Sequence, residues 1–299
     1  MSRLYSGSNN THGSYKGSYT YIEYDNITEY HKCMDLPTVP GRDNSSTSSG
    51  NGSWAGTDSL GEAVELMVKG DKESYEEIVK AKHKTDAMFR DMKVSKRRMF
   101  NSVEGFQPIV PNAIQGLPIS MINIKQEPKT VKIIDIIYNS SIGAMTDVDD
   151  IRLRGALLLS SIEQLEKNGY RVNLYASKIN VQGNDVTGHI VKIKDAMSPL
   201  NILKVAFYII NPAYLRRVSF KIDEVEERLI DCTGGYGQAT EFDKVRDIVI
   251  NSFNNKDILI YDKKVDVWSD NSDEDNINAI KDFLSGKIEL TEDWLLIFG

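Results

Sequence analysis

Val131-Lys-Ile-Ile-Asp-Ile-Ile-Tyr138, Thr146-Asp-Val-Asp-Asp150, Ile151-Arg-Leu-Arg-Gly-Ala-Leu-Leu-Leu-Ser-Ser-Ile-Glu-Gln-Leu-Glu-Lys-Asn-Gly169 and Tyr170-Arg-Val-Asn-Leu-Tyr-Ala176 follow one another along the chain, and their reading decides the fold. The first is a nearly continuous β-branched and aromatic run between Pro128 and Asn139-Ser-Ser141. Such a run suits a strand covered on both faces of a parallel sheet. The second supplies N-cap and first-turn acids, which the positive end of a helix favours. In the third, Leu158, Ile162 and Leu165 line one helical face while Glu163, Glu166 and Lys167 face away, and Asn168-Gly169 offers a left-handed stop. The fourth alternates as a strand does. Strand, helix and strand of these lengths predict a right-handed βαβ crossover.

Downstream, polar residues from Lys178 to Thr187 read as a turn, Gly188 to Lys194 as a third strand, and Pro199 to Ile210 as a helix capped by Ser198. Ala213 to Arg217 reads as a turn and Val225 to Ile230 as a fourth strand. Asp231-Cys-Thr-Gly-Gly-Tyr-Gly237 is a glycine-rich turn, Glu241 to Phe253 a helix and Asp257 to Asp262 a fifth strand. An acidic loop (Ser269 to Asp275), a last helix (Asn276 to Ser285) and an apolar end (Trp294 to Phe298) complete the pattern. Strands alternating with helices predict an α/β fold, a mostly parallel open sheet flanked by helices.

Upstream, Met1 to Tyr21 is rich in Ser, Gly, Asn and Tyr, the composition of a flexible arm, and Asp43 to Ser53 is a low-complexity linker. Trp54 to Gly70 predicts a helix with Ser59 as cap and Glu62 completing a capping box. Glu73 to Phe100 predicts a second, charged helix. Gly105 to Pro118, broken by three prolines, reads as an extended connector, and Ile119 to Ile124 as an edge strand. The expected organisation is therefore a flexible arm and linker at 1–53, a helical segment at 54–104 and an α/β domain at 105–299.

The 299 residues carry a net charge of −7, with 40% hydrophobic and 26% charged residues. That is enough chain for a real core and too acidic for general nucleic-acid binding, so nucleic acid is not the expected main partner. No apolar run approaches the ~20 residues of a membrane span, and no signal peptide is recognisable at the start. Cys33 and Cys232 are the only cysteines, too few for a disulfide framework, and they predict a reducing cytoplasm.

In open α/β sheets ligands sit beyond the carboxyl ends of strands. Three loops meet that description: Asn139 to Gly143, Ser177 to Asn180, and Asp231 to Gly235. Asn139, Ser141 and Asp231 offer hard oxygen ligands for Mg²⁺ or Ca²⁺, with Asp147 and Asp149 nearby in this topology. The plainer alternative is a strand-to-helix turn with ordinary capping residues. Gly234-Gly-Tyr-Gly237 lacks the lysine of a P-loop. Cys232 as nucleophile would need a base, and His189, inside a strand, reads better as a structural histidine. No residue is assigned as catalytic. For partners, Tyr15, Tyr19 and Tyr21 are candidate anchors on the arm. Lys96, Arg97 and Arg98 form the centre of a basic cluster that suits phosphate or an acidic partner, or else a solvated helix end.

Trp54-Ala-Gly-Thr-Asp-Ser59, Val110-Pro111 through Gly116-Leu-Pro118, Arg154-Gly-Ala156, Asn168-Gly-Tyr-Arg-Val172 and Asn211-Pro-Ala-Tyr-Leu-Arg-Arg217 resemble a family of uncharacterised tailed-bacteriophage proteins. The resemblance covers about Trp54 to Gly237 and implies a phage origin without an activity. More distantly, the strand, polar loop, Gly-Ala-bearing helix and Gly-Tyr-Arg-Val strand are similar to von Willebrand factor A-like domains, including those that partner AAA+ ATPases. Their metal motif, Asp-x-Ser-x-Ser, meets Asn139-Ser-Ser-Ile-Gly143 here, of which Ser141 carries over. The sheet would accordingly be von Willebrand factor A-like or Rossmann-like.

The expected function is a non-enzymatic phage protein acting in the host cytoplasm through protein–protein contact. The resemblance suggests an AAA+ ATPase, a host-defence protein or virion proteins as partners. The alternatives are a divalent-cation-dependent binder or metal-assisted enzyme, and a structural component of the virion.

Overall fold

The computed structural model describes residues 2–9, 17–42, 45–89, 98–125, 132–143, 146–167, 169–182, 185–229, 246–253 and 259–261. The chain forms two compact units. A large one comprises 1–90 and 133–289, and a small one 91–132 and 290–299. The division thus falls at neither 53 nor 104.

The large unit opens with β1 (Arg3–Asn9), β2 (Gly17–Tyr24), α1 (Ile27–Lys32), a short 3₁₀ turn, α2 (Ser45–Ser48), α3 (Gly52–Ala55), α4 (Leu60–Lys69) and α5 (Lys72–Phe89). The small unit supplies β3 (Arg98–Ser102), β4 (Gln107–Pro108), α6 (Val110–Ile114) and β5 (Met121–Lys125). The large unit resumes with β6 (Ile133–Asn139), α7 (Val148–Lys167), β7 (Arg171–Gln182), β8 (Asp185–Lys194) and α8 (Ile202–Ile210). A π-helical turn (Tyr214–Ser219), α9 (Phe220–Val225), α10 (Arg246–Phe253) and β9 (Leu259–Tyr261) follow. Among the described residues no helix is long and apolar enough to cross a membrane.

The six-stranded sheet runs β1-β2-β8-β7-β6-β9. Three of its pairs, β2/β8, β6/β7 and β6/β9, are parallel, while β1/β2 and β7/β8 are antiparallel. The central β6-α7-β7 unit matches its prediction, with Ile133 to Asn139 in parallel register against Arg171 to Ser177. Gly169, at φ +88°, turns the chain out of α7 in the backbone region that favours glycine. Gly155 is fixed by packing instead: a Cβ there would overlap the Ile209 carbonyl, so α7 and α8 cross backbone against backbone at this point.

The predicted arm is not an arm over its described residues. Tyr21 and Ile22 are fully buried, and β2 lies in parallel register beside β8 from Tyr19↔Val186 to Tyr24↔Val191. Its serines and glycines read as disorder because its strand partner is more than 160 residues away. The tyrosines, which suit a pleated surface, hold it in place: Tyr5 stacks on Tyr21 at 5.1 Å between centroids. Polar content misled again at Lys178 to Thr187, where β7 runs on through Gln182 and β8 begins at Asp185, the two pairing antiparallel. The strand expected at Val225 is the end of α9, and the turn expected at Ala213 to Arg217 is π-helical.

The helix expected to reach Phe100 is described through Phe89, and Phe100 lies in β3. The connector contains α6, which accepts Pro111 in its first turn because no intrahelical N–H is needed there. The edge strand expected at Ile119 to Ile124 is β5, the middle strand of a separate three-stranded sheet ordered β3-β5-β4. Cys232, the glycine-rich turn, the acidic loop, the last helix and the apolar end lie outside the described residues.

Candidate functional site

At the carboxyl end of β6 the predicted metal ligands are held by the protein itself. Asn139 Oδ1 accepts the Ser141 N–H at 3.0 Å, and Ser140 Oγ donates to Ser177 O at 2.6 Å. Ser141 Oγ donates to Ile179 O and accepts from Ile179 N, both at 2.8 Å. Its donor and one lone pair are therefore committed to stitching the loop onto β7. All three side chains are buried. Asp231, the third expected ligand, lies outside the described residues. Among the described residues no group of three or more His, Cys, Asp or Glu is placed to hold a metal. The arrangement is a strand-to-loop turn with its hydrogen bonds made.

The chemistry-bearing side chains that the fold does bring together lie inside the sheet–helix interface. Lys178 and His189 are cross-strand partners on β7 and β8. Asp223 of α9 meets both: its Oδ2 pairs with the Lys178 ammonium, and its Oδ1 lies 3.6 Å from His189 Nδ1. Tyr30 of α1 closes the other side, its hydroxyl 2.9 Å from His189 Nε2. The Lys178 ammonium also lies 4.9 Å from the centroid of the Phe220 ring. Burial, with the Lys178 charge adding to it, pushes the His189 pKa well below that of free histidine, so the ring is neutral. Water does not reach this cluster, with every member at most 2% exposed. It can lock α1 and α9 to the sheet; it cannot receive a substrate from solution. His189 is the structural histidine that its strand position suggested.

Arg216 and Arg217, on the π-helical turn, do comparable work on the chain before α4. Arg216 donates to Trp54 O and, at 3.0 Å, to Thr146 O, with its guanidinium 4.5 Å from the Trp54 ring centroid. Arg217 donates to the carbonyls of Thr47, Gly50 and Thr57. The linker expected at Asp43 to Ser53 is thus gripped over its described part. Burial lowers the Arg216 pKa to about 10, which leaves it charged at neutral pH.

The expected partner anchors separate. Tyr21 is core, Tyr19 is half-buried beside it, and Arg98 opens β3. Tyr15, Lys96 and Arg97 lie outside the described residues. The surface that stands out is one sequence reasoning missed. In the small unit Phe100, Val103, Phe106, Val110, Ile114, Leu117 and Ile119 are all exposed, from 40% to 81%. No residue from 100 to 123 is buried. The available signal was the density of large apolar residues in a segment whose prolines and glycine marked it as a connector.

These features define an α/β protein with a mixed, mostly parallel six-stranded sheet flanked by helices, carrying a small second unit with an apolar surface. The chain belongs to the family described as Domain of unknown function (DUF7192), whose model matches residues 9–285 and so takes in described elements of both units. No curated protein and no solved structure matches the chain.

Proposed function

We propose that the protein acts by protein–protein contact, and that the small unit docks on a partner protein through its apolar face. One observation carries this reading: seven large apolar side chains exposed between Phe100 and Ile119, with no buried residue beneath them from 100 to 123. A three-stranded sheet normally needs an apolar face buried against something to be stable. Large apolar side chains left exposed in this number are the usual material of interaction sites. Burying even one such side chain contributes about 1.5–3 kcal/mol. The sequence just before β3 is basic, Lys93 to Arg98, which suits a partner that also carries acidic residues. The motif resemblance to tailed-phage proteins supports an encounter within an infected bacterial cell.

The test is site-specific photo-crosslinking of the full chain in infected cells, from Phe106, from Ile114 and, as control, from the exposed Leu36 of the large unit. The expected result is one protein captured from both small-unit positions, not from Leu36. Purified, it should bind the wild-type chain and lose at least tenfold in affinity for Val110→Asp. Adducts formed only with a second copy of this chain, or equal capture from Leu36, would overturn the reading.

A further inference from the structure

A second surface of the molecule, independent of the small unit, has the character of a ligand site. β2 and β8 are adjacent and parallel, so their carboxyl ends share one rim of the sheet. The β6 loop lies at the other rim, because β8 is antiparallel to β7. Beyond the ends of β2 and β8 opens a cleft of about 720 Å³, walled by the starts of α1 and α8 and by α4. That volume is within the range of small-molecule sites, and carboxyl ends of parallel strands are where open α/β sheets bind ligands. Ile27, Val68 and Pro199, which reach the surface, give it apolar walls over the buried Met67, Ile193 and Val205, and Thr28 and Ser198 add exposed hydroxyls.

The charges around the cleft do not cancel. Asp25 is paired with Arg3 at 3.0 Å, Lys194 with Glu166 at 2.6 Å, and Lys192 with Asp195 at 3.6 Å. Lys204 is left over: it is exposed, and no carboxylate among the described residues pairs with it. It sits in the first turn of α8, which contains no acidic residue. A helix start favours negative charge and disfavours a cation, so Lys204 is poorly placed for the helix alone. Asn201 Oδ1 already accepts the Lys204 N–H at 3.3 Å, so a bound anion would answer chiefly the Lys204 cation. His31 lines the same cleft and adds a second hydrogen-bonding side chain beside Lys204.

We propose that the cleft between the starts of α1 and α8 binds a small organic anion, its carboxylate or phosphate at Lys204 and its apolar body against Ile27, Val68 and Pro199. Titration calorimetry of the full chain with phenyl phosphate, phenylacetate, inorganic phosphate and phenol tests this. Phenyl phosphate, phenylacetate or both should bind, more tightly than inorganic phosphate and at least tenfold more tightly than phenol; which of the two wins identifies the anionic group. Lys204→Gln should weaken the better probe at least tenfold without lowering the melting temperature, since the side chain is exposed, pairs with no carboxylate among the described residues and stands at a helix start that disfavours a cation. Val68→Trp, which adds bulk at the exposed wall of the cleft, should abolish binding with the fold checked by circular dichroism. Silence with both organic anions, equal binding of phenol, or undiminished binding by Lys204→Gln would each overturn the proposal. None of these outcomes bears on the small unit, so this inference and the docking reading stand or fall separately.

Discussion

In the large unit Lys178, His189, Asp223, Arg216 and Arg217 are buried, while in the small unit Phe106, Val110 and Ile114 face solvent. Each unit places residues where their side-chain chemistry alone would not. In the large unit the cost of desolvating charge is offset by pairing: Lys178 with Asp223, and both arginines with main-chain carbonyls. The charged groups there hold segments distant in sequence together. In the small unit no buried residue lies between 100 and 123 to offset the exposure of apolar surface, the observation that motivates the proposed docking face. Unusual residue placement therefore signals architecture in the large unit, where pairing holds the charges, and in the small unit it motivates the docking proposal.

The strongest way to break this contrast is to remove one member of the buried ion pair. Lys178→Met or Asp223→Leu alone should cost about 3–5 kcal/mol in urea unfolding, because a lone charge remains in the core. The double variant should recover most of that loss. A single variant costing under about 1 kcal/mol would show that the pair is not structural. Next in size, Gly155→Ala should cost about 1–3 kcal/mol by forcing α7 away from the Ile209 carbonyl, again read by urea unfolding.

A smaller effect follows from His189. Its folded-state pKa lies below that of free histidine, so the unfolded chain binds the extra proton. Stability from this group is complete above about pH 6.5 and is lost as pH falls through the range below it. Lys178, Asp223 and Tyr30 are the groups that face it. Thermal melts between pH 7.5 and 5 should fall less steeply for His189→Gln than for the wild type. An unchanged slope would mean that other groups govern the acid limb.

How much of this was legible in the sequence depended on the range of the interactions involved. β6, α7 and β7 declare themselves by local periodicity, capping residues and Gly169, and they stand where the sequence puts them. β1 and β2 could not be read that way, since what makes Gly17 to Tyr24 a strand is the open edge of β8. Lys178 was read as turn because polar residues in a strand suggest solvent, and its partner Asp223 is supplied by a helix 45 residues on. Asn139 and Ser141 were correctly placed at the end of a strand, yet composition cannot show that their oxygens are already engaged by Ser141 N and by Ile179. In the small unit, prolines implied irregular structure, whereas Pro111 sits where a helix tolerates it.

The difference between the two units is tested most directly by hydrogen exchange of the free full-length chain, resolved by peptide. The account predicts that amides of β7 and β8 exchange only through global unfolding, whereas those of β3 and β5 exchange orders of magnitude faster, since no residue from 100 to 123 is buried. Equal protection of β3, β5 and the large sheet would mean that the apolar side chains of the small unit are already covered in the free protein, and would contradict the docking surface.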